Sequence, residues 1–182
     1  MAKVYAMIAD GTEEVECLGV VDILRRVGVD TELIAVGHKT VTSSHGVVIT
    51  ADKTVDEADL SQADLIFVPG GLDGAKNLAA CKPLIDGIAT ALEDGRRVAA
   101  ICAAPALVLG ANGFLKGKRA ICFPSFEGDM LGAKIETGAR VVTDGNITTA
   151  RGLGCTIELG LELARLLVGE KQAEEVRSKI QF

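Results

Sequence analysis

Arg97-Val98-Ala99-Ala100-Ile101-Cys102-Ala103-Ala104-Pro105 is an apolar run of strand length that ends on a cysteine and meets a proline three residues later. A run that stays apolar at every position suits a parallel strand covered on both faces. Proline is favoured in the first turn of a helix, where its missing N–H costs nothing. The stretch therefore reads as strand, sharp turn, helix, with Cys102 at the turn and Pro105–Leu109 opening the helix. Lys3–Ala9 and Leu65–Val68 are apolar runs of the same kind. The first turns at Asp10-Gly11-Thr12 into a helix over Glu13–Val27 closed by Gly28, and the second is cut by Pro69-Gly70-Gly71.

Outward from these runs the alternation continues. Strands are predicted at Thr31–Val36, Val47–Thr50, Arg119–Cys122, Arg140–Thr143 and Ile147–Ala150, and an acidic connection at Asp52–Asp59. The last two strands are paired across Asp144-Gly145-Asn146, which has the chemistry of a tight hairpin. Helices are predicted at Gly74–Ala80, Pro83–Glu93, Thr156–Leu167 and Gln172–Lys179. Such alternation implies an α/β fold with a mostly parallel central sheet and helices on both faces. No internal repeat or linker interrupts it, so one domain is expected over residues 1–182.

Composition narrows the function. The 182 residues are 48 % hydrophobic, too apolar for intrinsic disorder. Nineteen Lys+Arg against 25 Asp+Glu give a net charge of −6, which leaves no basic stripe for nucleic acid. No apolar run reaches the length of a membrane span, and Met1–Asp10 lacks the form of a signal peptide, so a cytoplasmic protein without a membrane partner is expected. Five cysteines, none in a CxxC pair, suggest reduced thiols rather than disulfides or zinc.

Open α/β sheets carry their sites at the carboxyl ends of strands, where Cys102 stands. A thiol at a strand-to-helix turn faces unpaired N–H groups, which would lower its pKa and make it nucleophilic, in the manner of a nucleophile elbow. Position alone also admits a structural thiol, the reading given to Cys17, Cys81, Cys122 and Cys155. On the helix Glu13–Val27, the residues Val20, Ile23 and Val27 fall within about 40° of Glu16, which puts Glu16 on the apolar face. A carboxyl there should hold its proton at neutral pH and could donate to a thiolate; the alternative is a helix-start glutamate like Glu13 and Glu14. Leu18 and Val21 lie opposite Glu16 and predict a second apolar patch, hence a homodimer. Gly70, Gly71 and Ala103 offer backbone N–H groups for an oxyanion hole. His38 and His45, in a loop with no expected carboxylate cluster, make a poor metal site, so no metal is expected.

The segments Asp10-Gly-Thr-Glu-Glu-Val-Glu16, Val68-Pro-Gly-Gly71, Ala99-Ala-Ile-Cys-Ala-Ala-Pro105 and Ala150-Arg-Gly-Leu-Gly154 occur together and in this order. In this the chain resembles the DJ-1/PfpI (ThiJ) superfamily, most closely its small YajL-like bacterial branch, nearly end to end. The resemblance implies a flavodoxin-like three-layer α/β/α sandwich, a homodimer and a redox-sensitive Cys102 hydrogen-bonded by a protonated Glu16. It also implies a cofactor-free glyoxalase or deglycase acting on 2-oxoaldehydes of the methylglyoxal class and their thiol or amine adducts, with a role in oxidative stress. In that reaction the Cys102 thiolate adds to the aldehyde carbon, Glu16 shuttles a proton through an enediol, and water releases a hydroxy acid. The alternatives are a redox sensor or chaperone without turnover, and further behind, a cysteine peptidase or amidase or a thiazole-phosphate biosynthesis protein. Arg151 falls in a matching segment and is expected beside the site. So is His45, which stands where relatives often place an arginine. Many relatives carry a histidine where Phe123 stands here, so a Cys–His dyad is not expected.

Overall fold

The computed structural model describes residues 1–182. In chain order the strands and helices are β1 (Lys3–Ile8), α1 (Glu14–Arg26), β2 (Asp30–Ala35), β3 (Thr40–Thr42), β4 (Val48–Thr50), β5 (Lys53–Thr54), β6 (Leu65–Val68), α2 (Leu72–Ala79), α3 (Lys82–Glu93), β7 (Arg97–Ile101), β8 (Arg119–Ala120), β9 (Lys134–Ile135), β10 (Val141–Asp144), β11 (Ile147–Ala150), α4 (Thr156–Val168) and α5 (Glu170–Lys179). Seven strands form one sheet in the order β10-β11-β7-β6-β1-β2-β5. Every pairing in it is parallel except β10 with β11. That hairpin closes at Asp144 opposite Ile147, with Gly145 at φ +63° in the expected turn.

The two-residue period of a strand divides the apolar residues between two cores. Val4, Ala6 and Ile8 of β1 and Ala99 and Ile101 of β7 face α1, α4 and α5. Tyr5 and Met7 of β1 and Val98 and Ala100 of β7 face α2, α3 and the turn after Cys102. Strands buried on both sides and capped by helices on both sides make the three-layer α/β/α architecture expected from the sequence. Its site lies at the carboxyl ends of β1, β6 and β7.

Several elements differ from expectation. The strand predicted at Val47–Thr50 leaves the main sheet and pairs antiparallel with β3 as a separate ribbon. Val41 and Ile49 are its buried residues while the threonines flanking them are exposed, which suits a ribbon with one wet face. The connection after it contributes the edge strand β5, paired with β2. The strand predicted at Arg119–Cys122 is limited to Arg119–Ala120. Pro105–Gly110 is a π-helical turn, in which Ala111 N reaches Ala106 O and Phe114 N reaches Leu109 O. On α1, Glu16, Val20 and Ile23 face the core as predicted, but Val21 is buried too, so the outer apolar patch is Val15 and Leu18 instead. The helix wheel misses this because α1 is covered from more than one side.

Candidate active site

Strand β7 delivers Cys102 to the carboxyl edge of the sheet. Its backbone is held at φ +65°, a left-handed conformation that costs a non-glycine residue on the order of 1–2 kcal/mol. Two hydrogen bonds hold it there. Cys102 N donates to Ala150 O at 3.0 Å, and Cys102 O accepts from Phe123 N at 2.8 Å. Cys102 is partly exposed, whereas Cys17, Cys81, Cys122 and Cys155 are buried.

Glu16 is brought to the sulfur by the start of α1. Glu13 is the residue before the helix, and its Oε2 accepts the Glu16 N–H at 2.6 Å. Glu13 N in turn donates to Gly70 O at 3.0 Å, tying α1 to the turn after β6. Within that turn the Gly70 N–H donates to Glu16 Oε2 at 3.0 Å. The turn must approach very closely. A Cβ on Gly70 would strike Glu16 Oε2 and lie 2.6 Å from the Cys102 Cβ, and Gly71 stands at φ +84° against Gly11 O and Glu13 N. Glycine is required at both positions.

The donors predicted for an oxyanion hole divide accordingly. The backbone N–H groups of Gly71 and Ala103 are near enough to the Cys102 sulfur to pull its pKa down. Gly70 does not join them, because its N–H is engaged by Glu16. Leu153, which sequence reasoning missed, adds another N–H facing the Glu16 carboxyl.

Burial pushes Glu16, 1 % exposed, up to about 7, and the negative charge of Glu13 acts in the same direction. Burial and the adjoining Glu16 carboxylate push the Cys102 thiol up to about 12, against the pull of the Ala103 and Gly71 N–H groups. The expectation of a simply lowered cysteine is thereby corrected. Two anions side by side are disfavoured, so the carboxyl and the thiol titrate as one unit and hold a single proton between about pH 7 and 12.

His45 lies beside the first turn of α1. Its Nδ1 is 3.2 Å from Glu14 Oε1 and 3.8 Å from Glu13 Oε1, with Ser44 Oγ at 3.1 Å. The expectation that no carboxylates stand near it is corrected, because the β3–β4 ribbon folds back onto α1. Glu13, Glu14 and His45 could offer three ligand atoms to a cation. Nothing brings a histidine to Cys102, since the ring of His45 is turned to these carboxylates and Phe123 occupies the position beside the cysteine. Arg151 directly follows Ala150, whose carbonyl anchors Cys102, and lines a groove with Phe123, Pro124 and Leu153. Glu13 is the buried charge that sequence reasoning passed over; its spacing of three residues from Glu16, the capping-box interval, is a signal that could have found it.

Comparison with known proteins extends this picture. The pattern of the DJ-1/PfpI family matches residues 2–166. Protein DJ-1 homolog B of Arabidopsis thaliana is 40 % identical over 175 residues, which cover 96 % of this chain and 40 % of that protein. The chain spans 40–44 % of the length of the two Arabidopsis relatives it matches. A deglycase of Pyrococcus horikoshii is 27 % identical over 150 residues, covering 82 % of this chain and 89 % of that one. Among solved structures, a cysteine-to-alanine mutant of a DJ-1 superfamily protein from Salmonella typhimurium superposes with a TM-score of 0.95 at 35 % identity, over 100 % of this chain and 99 % of that chain.

Proposed function

The chain belongs to the DJ-1/PfpI family, and on that premise we propose that it is a cysteine-dependent, cofactor-free enzyme of the glyoxalase or deglycase kind. Its substrates are 2-oxoaldehydes of the methylglyoxal class and their thiol and amine adducts. The observation that carries this reading is a buried carboxyl, raised to about 7, set against a partly exposed cysteine that also faces two backbone N–H groups. The similarity to a deglycase supports it.

The reaction follows from the shared proton. With the proton on Glu16, the Cys102 thiolate adds to the aldehyde carbon, and the new oxyanion is met by the Gly71 and Ala103 N–H groups and protonated by Glu16. The Glu16 carboxylate then removes the proton from the same carbon, leaving an enediolate on the two substrate carbons. Glu16 returns that proton to the former ketone carbon while the hydroxyl proton passes from the first oxygen to the second, giving a 2-hydroxyacyl thioester. Water cleaves it to the hydroxy acid and restores the Cys102 thiol. The aldehyde carbon is oxidised and the ketone carbon reduced by the same electron pair, so no external oxidant or reductant is consumed.

The partial exposure of Cys102 favours a second reading, oxidation to a sulfenic or sulfinic acid in a redox-sensing or chaperone-like stress protein. The peptidase reading lacks a histidine at the sulfur. As partner we favour a second copy of the chain, docked on Val15 and Leu18, which are 49 % and 37 % exposed. Compartment is read only from composition and favours the cytoplasm; no helix is long and apolar enough to cross a membrane.

Incubating methylglyoxal with wild type and with Cys102→Ser, with the hydroxy acid quantified, tests the enzyme reading. Formation by wild type alone supports it. Equal rates in the two proteins, with Cys102 oxidised by mild peroxide, would leave the redox reading in its place.

A further inference from the structure

We propose that the groove running from Leu153 past Phe123 to Arg151 is a subsite that selects carbonyl substrates whose apolar body ends in a carboxylate; this deepens, and rests on, the carbonyl-enzyme reading above. The groove has a volume of about 510 Å3, within the range of small-molecule sites. Both of its walls are hydrogen-bonded to Cys102. Phe123 N reaches the Cys102 carbonyl, and Cys102 N reaches Ala150, the residue before Arg151. At its near end the Leu153 N–H faces the Glu16 carboxyl. The groove therefore begins at the two backbone segments that hold Cys102 and at the N–H beside Glu16.

The lining is apolar where the body of a substrate would lie. Phe123, Pro124 and Leu153 are all exposed there. The Phe123 ring is held edge-on to Phe126, with centroids 6.4 Å apart and planes at 64°, and rests on Gly152, where a Cβ would come within 3.2 Å of the ring. An aromatic wall fixed in this way favours a flat or branched apolar group over a single methyl.

The charge in the groove is all of one sign. Arg140 and Arg151 are its only charged lining residues. Arg140 is engaged by both carboxylate oxygens of Glu158, at 2.8 and 2.7 Å, and by Gly154 O at 2.6 Å. The Arg151 side chain, partly buried, makes no hydrogen bond or ion pair, in a chain whose net charge is −6. A free guanidinium beside an apolar wall is complementary to a carboxylate, which it can hold through two parallel hydrogen bonds.

The test reads the groove through alkylation of Cys102 and needs no turnover. Rates of labelling are measured with N-ethylmaleimide, N-phenylmaleimide and N-(4-carboxyphenyl)maleimide, with Cys102→Ser as the control for the other thiols. Wild type should prefer the carboxyphenyl over the phenyl reagent by about three- to tenfold at low salt, and added salt should diminish the preference. Arg151→Met should abolish it while leaving N-phenylmaleimide unaffected, and Arg151→Lys should keep much of it. Phe123→Ala should remove the preference for phenyl over ethyl. The proposal is overturned if the carboxyphenyl preference is absent, if it survives Arg151→Met, or if both aryl reagents react more slowly than N-ethylmaleimide. Because alkylation requires no carbonyl chemistry, lack of methylglyoxal turnover with the preference intact would sink the enzyme reading and leave the subsite standing as a binding groove.

Discussion

Replacing Glu16 by glutamine should change how the stability of the protein depends on pH, and the size of the change follows from the structure. Glu16 moves from an ordinary 4.5 to about 7 because burial penalises its charge. At about 1.4 kcal/mol for each tenfold change in proton affinity, this corresponds to about 3 kcal/mol. That is a large share of the roughly 5–15 kcal/mol that holds a domain folded. Between pH 4.5 and 7 the folded protein holds one proton more at the Glu16–Cys102 pair than the unfolded chain does, so stability falls as pH rises through this window and levels off above it. The contribution is fully present below the unfolded value and lost above the folded one. Glutamine has nearly the same shape, keeps an oxygen for the Gly70 N–H and does not titrate. Carboxylates held low, such as the exposed Asp59 and the half-buried Asp144, have the opposite slope, but they are common to both proteins and cancel in the difference. Urea unfolding in steps from pH 4 to pH 8 should therefore show Glu16→Gln gaining about 3 kcal/mol on wild type across the range. Parallel curves, with a difference constant to within about 0.5 kcal/mol, would refute the buried, proton-holding carboxyl.

Alkylation of Cys102 by iodoacetamide reads which atom keeps the shared proton: the proposed reaction, with the proton on Glu16, requires a rate that rises below about pH 7 and levels off above it, whereas a rate that keeps climbing through pH 9 would place the proton on the sulfur. Gly70→Ala should destabilise the fold by about 1–3 kcal/mol and abolish turnover, since the added Cβ meets both Glu16 and Cys102; thermal unfolding and hydroxy-acid assays check both. Light scattering at micromolar concentration should give the mass of a dimer and Leu18→Lys should weaken it, whereas a monomeric wild type, or association indifferent to the substitution, would exclude the α1 face.

Much of the architecture was legible because it rests on local pattern. Leu65–Val68 and Arg97–Ile101 are short apolar runs, Ile147–Ala150 is the return strand after the Asp144-Gly145-Asn146 turn, and the structure has strands with those limits. The β3–β4 ribbon and β5 were not, because two or three residues carry too little periodicity to tell a main-sheet strand from a ribbon. Glu16 could be placed by the period of α1 and Cys102 by the end of a strand, and the fold brings the two together. Gly70 was misassigned because the oxygen that takes its N–H is 54 residues away in sequence. The contact of His45 with Glu13 and Glu14 was hidden for the same reason, since it depends on how the ribbon folds back onto α1.

The most direct test of the Cys102–Glu16 pair is methylglyoxal turnover by Glu16→Gln, with alkylation of Cys102 followed in the same preparation. The pair as described predicts that hydroxy-acid formation falls by about 10²–10⁴, as for loss of a general acid–base group, while Cys102 remains open to alkylation. Turnover in Glu16→Gln within a few-fold of wild type would contradict it.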